Sequence, residues 1–158
     1  MTPPPRLRAL ACRPLTTGER GLAHEMFGSG LDAAPVRLLA LPVWPRAFVA
    51  GPRLIAWPAR HALADFACAP LPVQATFVHE LTHVWQAQRG VRLALAKLRA
   101  GDGPAAYAYD LADGRAFAEL NIEQQASVVE HAFLASRGAA TPFAPYLYAQ
   151  AAPAWREV

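Results

Sequence analysis

Pro72-Val73-Gln74-Ala75-Thr76-Phe77-Val78-His79-Glu80-Leu81-Thr82-His83-Val84-Trp85-Gln86 is the stretch on which the reading of this chain turns. Proline in its first turn, Gly90 just past its end and no breaker between them predict one helix over 72–90. Its centre has the spacing His-Glu-x-x-His. Residues four apart on a helix project from one face, so the imidazoles of His79 and His83 can reach a single tetrahedral ion. Glu80 is set one residue round. Its carboxylate is thereby expected near the open coordination position, where a general base for water is needed, and not on the metal. The alternative is two core histidines that bind nothing.

Two protein ligands are too few for a catalytic metal, which takes about three plus water. A second helix, expected from about Phe117 to Ser136 and ended by Gly138, offers Glu119, Glu123, Glu130 and His131. Helical periodicity puts the three glutamates within roughly 40° of one another and His131 farther round. Periodicity alone leaves the choice among the glutamates open, and each could equally be a plain surface carboxylate.

The rest of the chain frames these two helices. Its 158 residues suit one domain, 1–158, with 1–14 loosely ordered. A hydrophobic fraction of 54% against 17% charged residues indicates a packed core and argues against disorder. The net charge of +3 comes from scattered arginines with Lys97 as the single lysine. Basic residues so dispersed do not form a nucleic-acid footprint. No apolar run reaches the length of a membrane span. Cys12 and Cys68 stand far apart and read as buried or free thiols. The first fifteen residues lack a Sec-type signal, which points to a cytoplasmic protein, with export by a signal-independent route left open.

Thr16-Thr17-Gly18-Glu19 has the form of a capping box ahead of a helix from about Glu19 to Phe27. Val36 to Leu41, Phe48 to Ala50 and Leu54 to Trp57, broken by prolines, read as two or three short strands with at least one at an edge. A further helix is expected from about Val91 to Ala100, and Tyr107-Ala108-Tyr109 as extended chain. Phe143, Tyr146, Tyr148 and Trp155 are expected to pack across the core. His24, Glu25, His61 and Asp65 read as polar surface.

Several segments together resemble a known group: Arg13-Pro14-Leu15-Thr16 with Glu19 and Phe27-Gly28, then Phe77 to Gln86, then Tyr107 to Tyr109, and Asn121-Ile122-Glu123-Gln124-Gln125-Ala126. They resemble small bacterial HExxH zinc metallopeptidases of the gluzincin-like type, some of them Vgr-related and associated with protein secretion systems. The strand region matches least well. The resemblance implies a minimal zincin-like α+β fold, mostly helical, with a small sheet whose edge lies beside the HExxH helix. It also implies Zn2+ held by His79, His83 and Glu123, since the Asn121 to Ala126 segment is similar to the one that supplies the glutamate ligand in such families. Glu119 and Glu130 are then candidates to hold imidazole N–H groups. Tyr109 is a candidate donor to the oxyanion, with simple aromatic packing as its alternative.

The activity so implied is peptide-bond hydrolysis by a metal-activated water with Glu80 as general base, on a peptide or protein substrate added along the sheet edge. Secretion-system proteins are the implied partners. A zincin-shaped adaptor without catalysis is the rival expectation, and a toxin domain differs from the first reading only in destination.

Overall fold

The computed structural model describes residues 5–157 and combines helices with a small sheet, an α+β architecture. Residues 1–4 of the start expected to be loosely ordered lie outside that range. Its last residues are not loose: Cys12–Pro14 form strand β1. The capping box then opens helix α1, Thr17–Phe27, with the Thr16 hydroxyl accepting from the Glu19 N–H and the Glu19 carboxylate accepting from the Thr16 N–H. Glu19 is fully buried, yet it is saturated by both arms of the Arg13 guanidinium at 2.7 Å and by the Phe66 N–H at 2.9 Å. A buried charge persists only with such partners, so this carboxylate ties β1, α1 and the 3-10 turn Phe66–Cys68 into one corner.

The three apolar segments between prolines form strands β2 (Arg37–Leu41), β3 (Phe48–Val49) and β4 (Leu54–Pro58). The sheet order is β1-β2-β4-β3, with β2 and β4 parallel and both outer pairs antiparallel. Leu38, Ala40, Ile55 and Trp57 contribute buried side chains to the core, where Trp57, Phe66 and Phe77 pack ring on ring. Pro42, Pro45 and Pro52 bracket β3 and hold it to two residues at the sheet's border.

Helix α2, Leu71–Gln88, lies against β3 and β4, and α3 follows at Leu93–Ala100. The long second helix is shorter than its periodicity suggests. Phe117–Glu119 are a 3-10 turn, and α4 runs only over Ile122–Ser136 because Asn121 caps it. Tyr107 to Tyr109 form no strand; a 3-10 turn at Pro104–Ala106 leads into them. The most extensive helix packing among the described residues is α2 on α4, and Ala126, Val128 and Val129 of α4 are fully buried.

Helix α5 (Pro145–Ala151) and the tail add Tyr148 and Trp155 to the core, whereas Tyr146 points outward with 62% of its surface exposed. The tail is seated by Gly28. Its φ is +57°, and a Cβ there would fall 1.6 Å from the Glu157 carbonyl oxygen, so only glycine allows the two backbones to pair. Cys12 and Cys68 are exposed free thiols. No helix among the described residues is long and apolar enough to cross a membrane.

Candidate metal centre

His79 and His83 project from one face of α2 toward α4, with ring centroids 5.0 Å apart. Glu123, in the first turn of α4, meets both. Its Oε2 is 3.3 Å from His79 Nε2 and 3.5 Å from His83 Nε2, and one ligand atom from each of the three residues lies within 4.8 Å of the others. Ligands about 2.0–2.1 Å from a tetrahedral zinc stand about 3.3–3.4 Å from one another. The two separations from Glu123 Oε2 are close to the edges of such a tetrahedron.

The far side of each ring is also engaged. His79 Nδ1 donates to Glu130 Oε2 at 2.9 Å, and His83 Nδ1 donates to Gln86 Oε1 at 2.8 Å. Each bond leaves Nε2 as the atom presented to the cluster, the arrangement that orients imidazole ligands around metals. Gln86 is fully buried and completes itself by donating to the Ile122 carbonyl at 3.0 Å and to Gln125 Oε1 at 2.9 Å, so one amide joins α2 to the start of α4. Sequence reasoning did not assign Gln86. The available signal was a polar residue three positions after His83 in an otherwise apolar run.

The acidic candidates separate in the structure. Glu130 meets His79 as expected, but Glu119 does not join the cluster: it is exposed in the 3-10 turn and accepts from the Ala116 N–H at 2.6 Å. Its expected place on the face of Glu123 fails because the helix that would carry it begins only after Asn121. His131 bonds elsewhere, to the Tyr109 hydroxyl at 2.5 Å. That hydroxyl also bonds Tyr148 at 2.9 Å, and the ring packs on Phe143, so Tyr109 takes its packing role and is absent from the cleft lining. Tyr107 lines the cleft instead, its ring 6.3 Å from that of His79.

Glu80 is buried beside the histidines, and its Oε2 meets no hydrogen-bond partner among the described residues. An orphaned, buried carboxylate oxygen next to two imidazoles and a third ligand is the donor set expected around a hydrated cation. Burial foremost raises the Glu80 pKa, with His83 and His79 only partly offsetting it. Burial would lower the pKa of His79, but its bonds to Glu123 and Glu130 outweigh that and push it up to about 10. Burial would raise Glu123, yet the contacts from His79, His83 and Lys97 hold its carboxyl below the usual carboxylate range. The same anionic field that retains a proton on His79 would favour a divalent cation in its place.

The cluster forms the floor of a cleft of about 1020 Å³ whose walls include Phe48, Val49 and Ala50 of the β3 edge, Trp57, and Lys97 and Tyr107 opposite. Its lining is largely apolar with a few convergent polar groups, as substrate sites are.

No family model matches the chain. The type VI secretion system spike protein VgrG2b of Pseudomonas aeruginosa is 35% identical over 138 residues, covering 80% of this chain and 13% of that protein. The chain thus spans about an eighth of the length of that curated relative. The solved effector domain of Pseudomonas aeruginosa VgrG2b has the same fold, with a TM-score of 0.71 and 31% sequence identity over 96% of this chain and 88% of that one. With identity at this level and a shared fold over 96% of this chain and 88% of that one, this chain belongs to the family of the VgrG2b effector domain.

Proposed function

We propose that this protein is a zinc-dependent metallopeptidase that works as an effector associated with a type VI secretion system. The observation that carries the activity is Glu80: a site that only held a metal for structural reasons would have no use for a buried, unpartnered carboxylate beside three convergent ligands. The secretion role is supported by the likeness to the VgrG2b effector domain.

His79, His83 and Glu123 would hold the ion, which when bound supplies acidification of water to a pKa of about 7 and polarisation of a carbonyl. Glu80 takes the proton of the attacking water and passes it on to the leaving amine; its raised pKa moves it toward the range where a carboxylate can do both near neutrality. Glu130 and Gln86 keep the two rings aimed. The β3 edge, paired only with β4 among the described residues, can accept an extended peptide as a further strand, which would direct the peptide across the cleft floor.

The test is metal analysis of wild-type, His79→Ala and Glu123→Ala proteins, followed by cleavage of a peptide library by wild type and Glu80→Gln. The expected result is one zinc per wild-type chain, loss of metal in both ligand variants, and a Glu80→Gln protein that keeps zinc while hydrolysis falls by about 10²–10⁴-fold. Equal cleavage by wild type and Glu80→Gln would refute the catalytic role and favour a non-catalytic adaptor. A Glu123→Ala protein with full zinc content would refute the ligand assignment.

A further inference from the structure

Lys97 is the single lysine of the chain and sits on α3, a helix with no buried residue, yet its ammonium reaches the cleft floor. Nζ donates to Glu123 Oε1 at 2.6 Å and to the Tyr107 hydroxyl at 2.9 Å, with Asp102 Oδ1 at 3.5 Å. Glu123 therefore divides its two oxygens. Oε2 faces His79 and His83, while Oε1 is turned to the ammonium. A carboxylate with both oxygens free can chelate a metal through the pair, and doing so adds a ligand that crowds the position a water needs.

We propose that Lys97 is a positioning residue that keeps Glu123 Oε1 out of the coordination sphere, so that the carboxylate binds a metal through Oε2 alone and one position stays open. The inference rests on the metal-site reading above. Two short hydrogen bonds, to Glu123 Oε1 and the Tyr107 hydroxyl, fix Nζ between them, with Asp102 as a looser ion partner, and that pairing is what holds Oε1. Arginines supply the other fourteen of the fifteen Lys and Arg side chains, but a guanidinium is a planar fork; a compact ammonium can sit between a carboxylate oxygen and a phenol. The α3 helix thereby acquires a role: it carries this ammonium to α4 across the loop that contains Tyr107.

The experiment compares Lys97→Met with wild type and with Arg99→Met, which removes an equal charge from an exposed site on the same helix. Zinc affinity is measured by competition with a chromophoric chelator, and coordination by the visible absorption of the Co(II)-loaded proteins. Lys97→Met frees Oε1 and removes a positive charge beside the site, so it is expected to bind zinc no more weakly than wild type and to lose Co(II) band intensity as coordination rises from four to five. Arg99→Met is expected to match wild type in both. A Co(II) spectrum in Lys97→Met that is unchanged from wild type overturns the proposal, whatever the affinity. Lys97→Ala, with no side chain to mispack, is read in the same way, and circular dichroism of the metal-free proteins checks that each is folded. Failure of wild type itself to bind Zn(II) or Co(II) stoichiometrically would instead sink the metal site, a result distinct from an unchanged spectrum.

Discussion

At the scale of single residues, Gln86 bears the heaviest demand. Its amide receives the Nδ1–H of His83 and spans to Ile122 and Gln125, so leucine at this position would leave an imidazole N–H, a carbonyl and an amide oxygen short of partners. Gln86→Leu is expected to weaken zinc binding about 10–100-fold, and to lower stability by about 1–3 kcal/mol, read by chelator competition and by thermal melting. His79, Glu80 and His83 were legible because a helix turns their spacing into geometry. Gln86 was not singled out, since a glutamine on a helix is ordinarily a solvated side chain and its burial depends on where α4 crosses. Lys97 is a similar case. Its solitude among arginines was visible in the sequence, but its contact with Glu123 depends on a fold around the Tyr107 loop that no periodicity encodes.

At the scale of elements, the start of α4 decides which glutamate meets the histidines. Asn121 Oδ1 accepts from the N–H groups of Glu123 and Gln124, and Gln124 Oε1 accepts from the Asn121 N–H, a complete capping box directly before the ligand. Asn121→Ala is expected to cost about 0.5–2 kcal/mol, measured by thermal or urea unfolding of the metal-free protein. The sequence reading started this helix at about Phe117, although Phe117, Leu120 and Val128 do not all belong to it. All three are indeed buried, but the first two reach the core from outside α4, through the 3-10 turn and its C-cap. That is why Glu119 was placed on the wrong face while Glu123 and Glu130 were placed on the right one. The three strands between Val36 and Pro58 were legible almost to the residue, since prolines delimit them, whereas β1 fell in a start expected to be loosely ordered. Which strand borders the cleft was not, because order in a sheet depends on pairings between segments that single strands do not record.

At the scale of the whole molecule, the cluster couples stability to pH in a way a metal should reverse. In the metal-free protein the folded pKa of His79, about 10, lies above its ordinary value near 6.5, so its contribution is full below about 6.5 and is lost as pH rises toward 10. Glu80, raised by burial, acts in the same direction, because its ionisation at higher pH leaves a buried charge. Glu123 acts oppositely. Its depressed pKa gives stability that is present above the unfolded carboxylate range and lost as pH falls below it. Thermal melts of chelator-treated protein are therefore expected to peak in mildly acidic buffer and to decline toward pH 9.5. Zinc should abolish the alkaline decline, since it takes the place of the proton and supplies the counter-charge.

The seat at Gly28 has a further consequence for the back of the molecule. Trp155 packs at a tilt on Phe117, and Phe117 in turn meets Trp85 on α2, so a row of rings runs from the tail to the rear of the HExxH helix. A single methyl group at position 28 would unlatch the tail and open that row to water. The seating of the ligand-bearing helix thus depends on an edge of the protein that lies outside the cleft lining.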